Sequence, residues 1–559
     1  METLELASPE RRMESFAKQA YKIPEIRDMI CESINMHNET VLGVNETSES
    51  IACSALVCLL RTSHVFFFSA VRVLWGTREI EAEHLLVLLP GVSRKPWKNL
   101  SAVSAIVTTK VPDLSADTRF DRFNIYAPYV KYLRSKLVVY LHKNPQELDA
   151  IRAYARAHTL LPTLVTLSIK GPACSTGDDS ANTLIDWLEI LIPRSLRKLD
   201  LSYSQHRHSF SEVLVNRFYG FVQAVIVDCP GLNALSYCYG GAPATHYPTF
   251  LESHTLLPAN MVHLRCRFAV FCPELISWLA KMPKLRRLEF DRLDGFHSAF
   301  NDSSLIQQPL SFSELKHLVL AHCWVGPIMQ LCRSPLASYL TRLDINCTID
   351  QGWSKRSILS FFQHLVESFT SLVELSLDFS ANQFPFSDLH VLQSLPLQKL
   401  FLPQATRKMI GGPRVVRDLL QLWPSLQTLD LRSYDASFED LRHIVPFGPQ
   451  LVTLRLAIEM NIPYGLSNAS SFQTPKLVGN FRPLTLIASH EHPARAYDMS
   501  ELDELAKYLS SLRSPTEFWT CNDRQDPWVF RCYGWLKYLN MRLGMHSEAQ
   551  SQSQGTGKG

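Results

Sequence analysis

"LTRLDINCTIDQGWSKRSILSFFQHLVESFTSLVELSL", residues 340–377, contains one complete period of this chain. It opens on Leu-x-x-Leu-x-Ile at Leu340 and closes on Leu-x-x-Leu-x-Leu at Leu372. The last two apolar positions of each hexad are two residues apart, the period of a β-strand with one buried face. Between the hexads, "SILSFFQHLVESF" is amphipathic at helical spacing. A short strand and a returning helix each present one apolar side, and neither hides it alone.

The hexad recurs twelve times with conservative replacements, starting at Leu164, Leu196, Leu232, Met261, Leu285, Leu315, Leu340, Leu372, Leu397, Leu426, Leu451 and Phe481. Start-to-start distances run from 24 to 36 residues and average about 29, at the long end of the range for leucine-rich repeats, which the array resembles. Similar amphipathic pieces lie between the hexads, "TLIDWLEILIP", "ELISWLAKMP" and "VVRDLLQLWP" among them, and each ends in a proline that stops a helix. The expected fold is α/β, an irregular solenoid over residues 164–496 whose units share one core. Replacing one inward leucine, Leu318→Ala or Leu375→Ala, is expected to cost about 2–5 kcal/mol, with damage confined to neighbouring repeats. The asparagine or cysteine expected three positions after the hexad is met only by Cys323, so ties between repeats must come from elsewhere.

The totals exclude several functions. A formal charge of +3 over 559 residues is too thin for a nucleic-acid partner. Thirteen cysteines, an odd number in apolar contexts, suit reduced thiols in a reducing compartment, the cytoplasm and/or nucleus. The opening "METLELASPERRMESFAKQAYKIPEIRD", residues 1–28, is charged throughout and has no secretory pattern, so the sequons at Asn99 and Asn468 read as chance.

"SALVCLLRTSHVFFFSAVRVLWG", residues 54–76, is the most apolar stretch near the start, but Arg61, Thr62, Ser63, His64 and Arg72 break it. A membrane span needs about 20 uninterrupted apolar residues, so two amphipathic helices are expected. One runs from about Ser50 to Leu60; the other is capped by Thr62 or Ser63 and runs to Trp75, with Phe67, Val71 and Leu74 on a core stripe that Phe68 and Trp75 extend. Upstream, "YKIPEIRDMICESI" reads as a third helix with Pro24 in its first turn and Ile26, Met29, Ile30 and Ile34 on one face. Three short helices cannot enclose this much apolar surface, so part of it should be covered by another chain or by the following domain.

Ile23-Pro24-Glu25-Ile26, then Leu56-Val57-Cys58, then Leu74-Trp75 resemble the F-box over residues 22–78. The insert "NMHNETVLGVNETSES" between its first two helices is longer than in that family. The resemblance implies a module that docks on a Skp-family adaptor and through it a cullin of an SCF-type ubiquitin ligase, with Ile23, Pro24, Ile26, Ile30, Leu56, Val57, Cys58 and Trp75 at the contact. The irregular repeats are similar to those of F-box proteins, and "RFDRFNIYAPYVKYLR" resembles the segment that follows the F-box in fungal members. Residues 79–163 then form a connector or a first, degenerate repeat.

Outward positions of the strands line the expected concave face: His263, Arg265 and Arg267; Arg287, Glu289 and Asp291; Arg342, Asp344 and Asn346; Glu374 and Asp378; Asp430 and Arg432. A rigid surface with both signs of charge suits a protein substrate. Residues 497–544, with Leu502, Leu505 and Leu509 on one helix and Trp519, Trp528 and Trp535 following, read as a helical terminal cap, and 545–559 as a disordered tail without a lipidation signal.

No nucleotide-binding loop, nucleophile elbow, zinc-protease motif or Cys-x-x-Cys pair is present. His206 to His208 and His490 to His492 lack a second ligand pair, and Cys53 with Cys58 reads as packing. No metal, cofactor or catalytic residue is expected. The chain is expected to be a non-enzymatic substrate receptor that holds a cargo protein for ubiquitin transfer by other subunits. The rival is a stand-alone leucine-rich scaffold in which residues 23–75 cap the first repeat.

Overall fold

The computed structural model describes residues 22–41, 55–61, 63–89, 92–96, 104–108, 120–135, 145–171, 178–203, 211–238, 259–266, 270–271, 273–291, 295–296, 312, 314–332, 339–348, 355–379, 386–403, 413–437, 440–441, 444–458, 484–488, 499–512, 516–520 and 538–545. It divides into two compact units, Met1–Arg265 and Cys266–Gly559.

The first unit begins with three helices: α1 (Pro24–Val41), α2 (residues 55–61) and α3 (Phe67–Gly76). Cys31, Leu56, Ala70 and Val73 form their common core, with Ile34, Leu59, Leu60, Phe66 and Leu74 packed around it. Two expectations need correction. α1 runs on to Val41 and takes in the first seven residues of the polar insert, where the Asn35 amide accepts from Arg78 Nη2 at 3.0 Å. α3 starts at Phe67 rather than at Thr62 or Ser63, because residues 63–66 turn, closed by Phe66 N–H on Ser63 O at 3.2 Å and held by Arg27 Nη1 donating to Val65 O at 2.6 Å. Along it Ala70, Val71 and Val73 are buried and Leu74 packs against the core, while Phe68 faces outward. The other side of α3 lies on residues 120–129. Trp75 packs on Tyr126 with ring centroids 4.9 Å apart, and a side chain at Gly76 would meet Tyr129 O at 3.3 Å. No described helix is long and apolar enough to cross a membrane.

A parallel ladder follows: β1 (Glu79–Glu81), β2 (Tyr132–Ser135), β3 (Thr166–Gly171), β4 (Lys198–Tyr203), β5 (Ala234–Cys238) and β6 (His263–Cys266), hydrogen-bonded in that order. Two strands of the ladder therefore lie within residues 79–163, beside a separate antiparallel pair, Val92–Pro96 with Ser104–Thr108. α4 (Asp121–Tyr126), α5 (Pro145–His158), α6 (Asp178–Leu191) and α7 (Glu212–Asp228) return the chain, α7 capped by Ser211 Oγ, which accepts from Leu214 N–H. Phe120 stacks on Tyr154 at 3.6 Å and joins α5 to the segment that carries α3.

In the second unit the ladder is β7 (Arg287–Asp291), β8 (His317–Trp324), β9 (Arg342–Thr348), β10 (Glu374–Phe379), β11 (Lys399–Phe401), β12 (Thr428–Ala436), β13 (Thr453–Ile458), β14 (Leu484–Ala488) and β15 (Thr516–Thr520). α8 (Pro273–Ala280), α9 (Val325–Cys332), α10 (Lys355–Ser368), α11 (Pro413–Leu422) and α12 (Met499–Leu512) return most repeats. Between β10 and β11 a 3-10 stretch, Phe386–Ser394, takes the place of the returning helix.

All twelve hexads fall on strands, β3 to β14. Their second leucines stand in register: Leu167, Leu199 and Leu235 in the first unit, and Leu288, Leu318, Leu343, Leu375, Leu400, Leu429 and Leu454 in the second; on β14 the residue opposite Leu454 is Leu486, the third apolar position of the hexad read from Phe481, so that hexad is displaced by two residues. Burial alternates strictly along β10 and β13. One strand per repeat, parallel and in register, is a leucine-rich-repeat fold.

The ties that replace the missing asparagine are also repetitive. In most repeats two successive N–H groups converge on one carbonyl of the preceding repeat, as Val373 and Glu374 do on Thr341 O at 2.8 and 2.9 Å. Small polar side chains just before the hexad reinforce this. Thr163 Oγ1 donates to Pro128 O at 2.7 Å, Ser195 Oγ to Pro162 O at 2.9 Å, and Asn260 Nδ2 to Pro230 O at 3.1 Å.

The C-terminal expectation needs a further correction. Thr516–Thr520 adds strand β15 beside β14, so the ladder continues one strand into the segment read as a helical cap. Leu502, Leu505 and Leu509 of α12 are buried as their spacing predicted. Residues 538–545 form a helix that docks by Leu539 and Leu543, with Asp503 accepting from Tyr538 Oη at 2.9 Å and Arg542 Nε at 2.6 Å. Trp528, Trp535 and the 545–559 tail beyond Met545 lie outside the described residues.

Candidate functional site

Two surfaces carry the residues singled out by sequence. On the helical module, Ile23 is 46% exposed, Met29 62%, Val65 43% and Phe68 61%. The side of α1 that carries Cys31 and Asn35 turns inward, which leaves Met29 on the far side; Arg27 ties the turn bearing Val65 to the start of α1. Pro24 and Cys58 are exposed, and Ile26, Ile30 and Val57 are half-buried. Two expected contact residues are placed otherwise. Leu56 is fully buried in the module's own core, and Trp75 is occupied by Tyr126. Met29, Val65 and Phe68 take the outward positions; Met29 was assigned to the apolar face of α1 but not to the contact, and Phe68 to the core.

On the strand face of the second unit, Arg287, His317, Arg342, Glu374 and Lys399 stand side by side in register. Their charges interlock with the next outward row. Arg287 pairs with Glu289 at 3.3 Å. Asp344 takes His317 Nε2 at 2.8 Å and Arg342 at 3.1 Å. Glu374 takes Arg342 at 3.3 Å and Lys399 at 2.5 Å. Asp430, only 5% exposed at its side chain, lies between Arg432 at 2.8 Å and Arg455 at 3.6 Å. His317, Lys399 and Arg455 were missed by sequence reasoning, although each occupies a hexad position that marked Arg342 or Asp344 as outward. Arg265 lies on β6 in the first unit, and Arg267 lies outside the described residues.

The carboxyls respond to these partners in opposite directions. Burial raises the Asp344 pKa, but hydrogen bonds from His317 and Arg342 outweigh it and hold the group below its ordinary value. Asp378 accepts Asn346 Nδ2 at 3.1 Å, and burial raises its pKa against the weaker opposing charges of Arg432 and His322. Its Oδ1 is buried and has no donor among the described residues. His322 sits at φ 53° where the register of β8 slips between Leu320 and Cys323. Cys323, behind that slip, is fully buried and donates to Ala321 O at 3.2 Å.

A cavity of about 730 Å³ lies in the first unit, beside the C-terminal ends of α5 and α6. Arg152, Arg156, Arg194, Glu189 and Asp228 line it with mixed charge. Arg152 is committed to Asp186, which also takes Arg217 at 2.5 Å, a brace across α5, α6 and α7. Among the described residues no three His, Cys, Asp or Glu side chains converge as a metal site. His206 to His208, His490 to His492 and Cys53 lie outside the described residues.

No protein-family model matches this chain, and no curated protein does. Solved structures similar to it include a protein from Bacteroides fragilis, at 15% identity and TM-score 0.32 over 51% of this chain and 77% of that one. The Rad7 and Elc1 complex of yeast matches at 13% identity and TM-score 0.30 over 87% of this chain and 98% of that one. The Toll–Spatzle complex of Drosophila matches at 11% identity and TM-score 0.27 over 74% and 58%. The fold assignment rests on the chain's own strand register.

Proposed function

We propose that this chain is a non-catalytic substrate receptor of an SCF-type ubiquitin ligase, working in the cytoplasm and/or nucleus. Its helical module, an F-box with residues 22–78 as its bounds, docks on a Skp-family adaptor and through it a cullin; its repeats hold a protein cargo. The observation that carries this reading is the set of large apolar side chains, Ile23, Met29, Val65 and Phe68, left facing outward on a module whose own core is already filled. Isolated exposed apolar residues are ordinary, but four on one three-helix module suit a protein contact. Packing of α3 on residues 120–129 and of Phe120 on Tyr154 supports a stiff joint between module and first repeat, so a bound cargo would stand at a set distance from the ligase.

The same packing favours a second reading, in which the module merely caps the first repeat of a free-standing scaffold. Titration of the full chain with a purified Skp-family adaptor separates the two. The receptor reading expects saturable binding that Met29→Glu and Phe68→Glu each weaken at least tenfold without shifting the melting temperature. Absence of binding by the folded wild-type chain leaves only the scaffold.

A further inference from the structure

Charge on the strand face of the second unit is compensated almost throughout. Glu289, Asp344, Glu374 and Asp430 each have an arginine, lysine or histidine partner within 3.3 Å. Asp378, at the outward position near the end of β10, is different. Its carboxylate accepts one neutral donor, the Asn346 amide, while its other oxygen is buried and unpaired. His322 and Arg432 reach it only through space, and Arg432 is held by Asp430 at 2.8 Å. An acid left with an unsatisfied buried oxygen is unusual in a folded chain, and such perturbed acids gather at functional sites.

We propose that Asp378 is the anchor for a basic side chain, lysine or arginine, of a protein partner lying across β8, β9 and β10. The inference rests on the reading that the strand face takes a protein cargo, and not on the adaptor contact. Asp378 is half-buried rather than sealed, and because Oδ1 is the buried oxygen, a cation arriving from solvent meets the carboxylate at Oδ2, beside the Asn346 amide, and neutralises the charge that Oδ1 shares. Such a cation supplies what the chain withholds at this position and provides everywhere else on the face. An acidic side chain would add to an uncompensated charge, and an apolar one would bury it further.

The test uses the full chain and a displayed library of random nine-residue peptides as the probe. Selection on the wild-type chain is expected to enrich peptides sharing one lysine or arginine. Replacing that residue by glutamine in the peptide should weaken binding at least tenfold on the wild-type chain and less than twofold on Asp378→Asn. Asp378→Asn should melt at or above the wild-type temperature, because it removes an orphan charge. Failure to enrich any peptide, enrichment without a shared basic position, or equal loss on both proteins overturns the proposal. Adaptor titration is the independent arm: Asp378→Asn leaves it unchanged, and absence of adaptor binding with basic-peptide binding intact sinks the ligase reading alone.

Discussion

Leu375→Ala tests the leucine ladder at its centre. Leu375 is fully buried and stands between Leu343 on β9 and Leu400 on β11, both fully buried as well. Truncation removes three carbon atoms, a transfer loss of about 2.4 kcal/mol at roughly 0.8 kcal/mol per methylene. Register with both neighbours prevents the strand from sliding to fill the gap, so a residual void adds about 1–2 kcal/mol at roughly 24 cal/mol per Å³. The expected cost is therefore about 3–4.5 kcal/mol. Contacts in a repeat array are local, so the loss should stay near the lesion. Hydrogen exchange read by mass spectrometry checks this directly: amides of β9, β10 and β11 should exchange about 100- to 1,000-fold faster, since 1.4 kcal/mol is about a factor of ten, while β2 to β5 keep their protection. A cost below about 1 kcal/mol, or equal loss of protection across both units, would refute the ladder as a set of local contacts.

Two further outcomes follow from the titrating groups. Asp344 has a folded pKa below its unfolded value, so its bonds to His317 and Arg342 contribute stability that is fully present above about pH 3.9 and is lost as pH falls through the lower folded value; the urea midpoint should drop more steeply on acidification in the wild type than in Asp344→Asn, and parallel curves would refute the linkage. Cys58 is exposed whereas burial pushes the Cys229 thiol up to about 11 and the Cys347 thiol higher still, so iodoacetamide on the native chain should label Cys58 first and reach the other two only after unfolding; early labelling of Cys347 would contradict its buried place on β9.

The repeats were legible because each hexad states its own strand. Leu318, Leu343 and Leu375 need only a two-residue alternation and a helix returning between them, and that pattern is local. The helical module was legible in outline and wrong in detail. Val71 is fully buried and Leu74 packs on the module's core as their spacing predicts, but Phe68, taken as an extension of that stripe, faces outward, because the period alone does not fix how wide the buried side is. Leu56 shows the same limit, since an apolar residue in a contact motif and one in a core look identical until the neighbouring helices are in place. Strand β15 escaped because its aromatic sequence lacks the hexad, and it is recruited by the open edge of β14.

The sequence by itself determined the period, the parallel ladder and which side chains point inward, because burial and backbone pairing repeat within every unit. Only the tertiary structure decided which outward charges meet. His317 finds Asp344 27 residues away, Lys399 finds Glu374 25 away, and Asn346 finds Asp378 32 away. The last two distances are one repeat each and the first is one repeat plus two residues, and repeats differ in length, so a contact across strands follows register and not spacing in the chain. The uncompensated carboxyl of Asp378 is visible only once every neighbouring charge has found its partner.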